Sequence, residues 1–261
     1  MGSNFGEPWN HPLFLSGSTS KSDTIGPAVV ISIVASVALL LGLRLVPLRI
    51  LKRNQDPKQG CDTTQVFFLA HVMINSIICI LTFHDVLRVL YDPITNGYKG
   101  EYDLLPTVIQ IGFHVAHMIT DYRTLKVELW VHHILSSVLL GIFDLCYTYG
   151  PLLNFALFFG TGLPGGLNYA IQFARKISAV RRSEADLLYS RIDTWIRAPS
   201  LVICMAFGHA CWAAGQRATP SFVQVCSAEH ALLLHSFTIT MPLLSSCHHF
   251  RCTAAAAPTR R

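Results

Sequence analysis

Charge is what this chain has least of. Only 13% of its 261 residues are Asp, Glu, Lys or Arg, about half the share of a soluble domain. A soluble fold of this length could bury one large core, but its surface would need more charge than the sequence contains. Metal-finger or redox cysteine spacing is also missing. The eight cysteines, Cys61, Cys79, Cys146, Cys204, Cys211, Cys226, Cys247 and Cys252, include no CxxC pair, and most lie in or beside apolar runs. They read as buried thiols rather than as a disulfide framework or zinc site. There is no Asn-x-Ser/Thr sequon to report topology. No basic stretch precedes the first apolar run and no small-residue cleavage site follows it, so that run is expected to remain as a membrane helix. Internal repeats, heptads and C-terminal dilysine or KDEL-type signals are absent as well.

Apolar sequence dominates. Hydrophobic residues make up 51% of the chain and the mean hydropathy is +0.42. Seven stretches approach or reach the length needed to cross a bilayer: 25–43, 65–83, 104–120, 127–149, 151–174, 198–216 and the short 231–247. The expected fold is therefore all-α, a multi-pass integral membrane bundle of about seven transmembrane helices. The net charge of +5 does not point to nucleic acid, because the basic residues form short clusters between apolar runs. Of the lysines and arginines, 15 fall in the expected loops and tail following the odd-numbered spans, 175–191 among them, and only 3 in the opposite segments: Lys21, Lys99 and Arg217. The positive-inside rule then predicts a lumenal or extracellular N-terminus and a cytosolic C-terminus. The expected organisation is a polar tail at 1–24, a first helix and basic loop at 25–62, a membrane domain at 63–249 and a short basic tail at 250–261.

Ionisable groups within spans are costly and usually face a cavity or a partner. His114, His117 and Asp121 follow at i, i+3 and i+7 on the third span, along one helical face. Only Tyr122–Lys126 separates this span from the next, so the two helices form an antiparallel hairpin. That brings His132 and His133 back from the same side, and a cluster of Asp121 with one of the paired histidines is expected, with His117 one turn deeper. Adjacent residues point about 100° apart on a helix, so one of the pair is free to face the cavity while the other packs on a neighbour. The fifth span contains Gly160-Thr161-Gly162-Leu163-Pro164-Gly165-Gly166-Leu167-Asn168. Pro164 removes a backbone donor. Two readings stay open: a broken helix lining a substrate cavity, or a kink with close helix packing. Asn154 and Asn168 are polar candidates for the same interior.

The run from Asp121 through VELWVHHILSSVLLGIFDL, a short loop, and LLNFALFFGTGLPGGLNYAI resembles the centre of the TRAM–Lag–CLN homology (TLC) domain family. In that family an Asp closes one helix, a His pair opens the next, and a polar-small-Pro-Leu-Asn pattern follows. The resemblance extends from Thr63 to His249, its specific part over about fifty residues. It implies work on membrane lipid, with His132 and His133 oriented by Asp121 as candidate catalytic residues. His114, His117, Asn154, Pro164 and Asn168 are candidates for the lipid-binding interior. The Asp-rich motif of ceramide synthases is missing between Leu152 and Asn168, and Gly162 stands where smaller family members often have an acidic residue. The smaller lipid-homeostasis branch is therefore favoured, in the endoplasmic reticulum or plasma membrane.

Three functions follow. One is lipid binding, sensing or transport, with membrane lipids as partners and no cofactor. Another is ceramide-synthase-like N-acyl transfer, with acyl-CoA as co-substrate and a His as general base. The third is a metal-dependent lipid hydroxylase, hinted at by His114-x-x-His117 with His132-His133; the repeated HxxHH boxes of such enzymes are missing, so no metal is assigned. Composition is silent on oligomeric state.

Overall fold

Helix α1 (Ser22–Leu45) and helix α2 (Thr63–Tyr91) carry 24 and 29 residues. Both are apolar on nearly every face, which suits a helix surrounded by hydrocarbon rather than one lying on a water-facing core. Among the described residues they are the two helices long and apolar enough to cross a membrane by length and composition, with mean hydropathies of 2.4 and 2.2. The structure is a computed structural model and describes residues 22–45, 63–97, 102–123, 125–135, 140–146 and 150–214. Among these residues the fold is all-α, without a strand.

The remaining elements are shorter. Helix α3 (Pro93–Asn96) is one turn, started by the Asp92 carboxylate accepting from the Thr95 backbone N–H at 3.0 Å. Helix α4 (Leu105–Thr120) opens with Pro106 in its first turn, where no backbone donor is needed, and with Asp103 accepting from Leu105 N at 2.8 Å. The expected fourth span appears as α5 (Val127–His133) and α6 (Leu140–Cys146), with 136–139 outside the described residues. Gly150 adopts φ 65°, the region that costs glycine least, and turns the chain into α7 (Pro151–Leu157). A π-helical turn (Phe158–Gly162) joins α7 to α8 (Leu163–Lys176) without a break. The basic segment beyond it, expected as a loop, is helical: α9 (Arg182–Ile192) continues through a second π-helical turn (Asp193–Arg197) into α10 (Ala198–Ala213). The seventh expected span, 231–247, lies outside the described residues.

Helix α2 is the centre of the packing, touching α1, α4, α7 and α8, while α1 packs mainly on α4 and α10 on α7. One apolar cluster joins Leu40, Ala70, Ile74, Ile78, Phe113, Ala116, Leu153 and Leu157. A second joins Val86, Val89, Leu152, Phe155, Ala156 and Cys204. The outer surface is apolar too: Ile31 is 67% exposed, Ile80 75% and Val202 59%, whereas Gln65, His71, Asn75, Thr82, Asp85, Gln110, His117 and Asn154 are buried. A large apolar exterior over a core that also buries polar groups is unfavourable in water and suits a bundle solvated by lipid.

Helices α1 and α4 come close at Gly112, where a Cβ would sit 2.8 Å from the Ser32 backbone carbon and closer still to its hydroxyl. Gly112→Leu is expected to force these helices apart and cost about 1–3 kcal/mol. The check is the unfolding midpoint in mixed detergent micelles; an unchanged midpoint would refute the close contact.

Candidate functional site

Five imidazoles gather where α2, α4 and α5 meet. His117 and His133 stand edge to face with ring centres 4.9 Å apart; His114 lies 5.0 Å from His133 and 6.4 Å from His132. His71, from α2, lies 5.9 Å from His117 and 6.3 Å from His114. Phe67 covers His71 and His117 at 4.0 and 4.3 Å, and Tyr169 of α8 stacks on His71 at 4.1 Å. One ring nitrogen each of His114, His132 and His133 lies within 4.8 Å of the others.

The hydrogen bonds determine where the ring protons sit. Arg44, in the last turn of α1, holds the Asp121 carboxylate at 2.6 Å. The other carboxylate oxygen lies 3.4 Å from His117 Nε2. That is long for a hydrogen bond, but a carboxylate can only accept, so it favours the tautomer with the proton on Nε2. His117 Nδ1 is then a lone pair, and it accepts from His133 Nε2 at 2.9 Å. The lone pair of His133 is left on Nδ1, which is buried and without a hydrogen-bond partner. Two other rings are fixed by carbonyls, which also only accept. His114 Nδ1 donates to Gln110 O at 2.7 Å and His71 Nδ1 to Phe67 O at 2.9 Å, leaving a lone pair on Nε2 of each. The result is an Arg–Asp–His–His chain ending in an unused basic nitrogen, with two further basic nitrogens close by.

The sequence-predicted residues divide into two groups. His114, His117, Asp121, His132 and His133 come together. Asp121 meets the pair through His117 rather than directly, and both His132 and His133 lie beside His114. Asn154 sits elsewhere: its side-chain N–H groups donate to the Asp85 carboxylate at 2.6 Å and to Asp103 O at 2.9 Å. Asp85 is roughly 21 Å along α2 from His71, at 1.5 Å per residue, so Asn154 clamps the opposite end of the bundle. Asn168 is buried and donates to Asp193 at 3.1 Å, and Asp193 pairs with Arg197 at 2.7 Å. This clamp borders the cluster, because Tyr169 is the next residue and the Arg197 charge reaches His132.

Pro164 is buried in the first turn of α8. The glycines beside it admit α2: a Cβ on Gly162 would lie 3.0 Å from Cys79 Sγ, and one on Gly166 3.3 Å from the Asn75 Cβ. Local geometry here is close packing around a π-helical turn.

His71, Arg44, Phe67 and Tyr169 belong to the site but were not marked by the sequence. His71 did carry a signal, as the single histidine in an otherwise apolar span. No family model, curated protein or solved structure matches this chain.

Proposed function

We propose that the chain is a multi-pass membrane protein of about seven spans that acts on membrane lipid through the histidine cluster, as the resemblance to the TLC family implies. The observation that carries this reading is the collection of five imidazoles and a carboxylate inside a bundle whose exterior is apolar. Polar groups at such depth are expensive and rarely idle. The orientation also has support. Arg44 at the end of α1 meets Asp121 at the end of α4, so both helices run the same way, as expected for the first and third spans. Asp85, near the end of α2, meets Asn154, near the start of α7, as expected for the second and fifth. Glycosylation sequons engineered into 1–21 and 250–261 test the arrangement: modification in the first segment and not the second is expected. Modification of both would contradict an odd number of spans.

The relay favours a second, sharper reading, N-acyl transfer. His133 Nδ1 would take the proton of an amine as its nitrogen attacks an acyl thioester. The new C–N bond forms, the C–S bond breaks, and the proton passes to the leaving thiolate. Asp121 and His117 would keep His133 in the tautomer this needs. Purified protein given acyl-CoA and a long-chain base is expected to form amide, and His133→Ala to lose it. No product from either protein sinks the acyl-transfer reading.

A further inference from the structure

We propose that His114, His132 and His133 hold a divalent transition-metal ion of the zinc class. Their nitrogens already lie within 4.8 Å of one another. Modest side-chain rotation would close that to the roughly 3.4 Å separating two imidazole nitrogens on a tetrahedral ion. Three histidines with a fourth position open is a donor set that zinc uses in catalytic sites.

Two independent observations point to a ligand rather than to packing. The first is the set of tautomers. A metal-binding histidine commonly gives its other ring N–H to a carbonyl or carboxylate, which fixes the ring and strengthens the donor nitrogen. His114 does this to Gln110 O, and His133 does it through His117 to Asp121. In both rings the lone pair is thereby left on the nitrogen that has no such backing partner. The second is that His133 Nδ1 is buried with no hydrogen-bond partner, and so is Nε2 of neighbouring His71. Buried polar nitrogens without partners are uncommon and costly, and a bound ion would satisfy the first directly.

The donor type selects the metal. Calcium and magnesium require several oxygens, and the nearby carboxylate, Asp121, is engaged by Arg44 and His117. Neutral imidazoles favour zinc and the later first-row ions.

This inference shares the cluster with the lipid reading but does not rest on it. An ion would occupy the lone pair that N-acyl transfer assigns to His133, so the two can be separated by experiment. The full chain, purified in detergent through a tag without histidine, is stripped of metal and titrated with zinc alone. One zinc per chain is expected, bound at least about 100-fold more weakly by His114→Ala and by His132→Ala. His117→Gln, which disturbs only the backing, is expected to weaken binding roughly 10–100-fold. Cobalt(II) added to the wild-type protein is expected to give the intense visible bands of a tetrahedral site, a readout independent of how the variants fold. Substoichiometric zinc, a cobalt spectrum like that of the hydrated ion, or equal affinity in His114→Ala would each overturn the proposal. Zinc binding without amide formation supports the ion and sinks only the acyl-transfer reading.

Discussion

Asp121→Asn is expected to lower amide formation by roughly 10²–10⁴-fold, the range associated with loss of a positioned proton acceptor. The loss runs through the tautomers of His117 and His133. A carboxylate accepts from His117 Nε2; an amide can instead present its own N–H there. If His117 then moves its proton to Nδ1, it can no longer accept from His133 Nε2. His133 shifts its proton in turn to Nδ1, and the unused buried lone pair there disappears. Side-chain volume barely changes, so packing does not explain the loss. Arg44→Gln provides the contrast: it removes the ion pair at 2.6 Å while the Asp121–His117 contact remains, and a much smaller effect is expected. Imidazole ¹⁵N shifts read the tautomers directly. A proton on His133 Nε2 in the wild type and on Nδ1 in Asp121→Asn is the predicted pattern; identical shifts in both would refute the relay.

Asp193→Ala is expected to cost about 3–5 kcal/mol, because it leaves the Arg197 guanidinium buried without its counter-charge. The Asp193 side chain is fully covered and that of Arg197 is 10% exposed, with 2.7 Å between them. Asn168 also loses its acceptor. Replacing the pair together, Asp193→Leu with Arg197→Met, is expected to recover most of the loss, since an apolar pair leaves no charge stranded. Unfolding in mixed micelles measures both. Equal destabilisation by the single and double variants would mean that the pair matters for something other than charge compensation.

The parts of the site legible beforehand were the local ones. His114, His117 and Asp121 share a face because helical periodicity puts them there, and a turn of a few residues obliges α5 to return alongside α4. His71 was not legible as a partner, since nothing local links α2 to α4; the contact arises from packing around Phe67 and Tyr169. Arg44 read as one cytosolic charge among several because its partner lies 77 positions away. Asn154 illustrates the reverse failure. Its polarity marked it as interior, but polarity does not set depth, and it lies at the far end of α2 with Asp85. The Gly-Pro run left two readings open because glycine serves both a bent helix and a close approach. At Gly162 and Gly166 the neighbouring atoms of α2 show the close approach. The basic stretch 182–192 looked like a loop because its charges hid a helix that continues into α10.

The proposal at stake is that the buried histidine cluster of this bundle handles membrane lipid. Native mass spectrometry of the full chain, freed from detergent in the gas phase, tests it most directly. The account predicts that the wild-type protein retains one lipid of defined mass after the detergent is stripped, and that folded His133→Leu retains far less. Folded wild-type protein that emerges bare, or that carries the same unresolved ladder of lipids as His133→Leu, would contradict it.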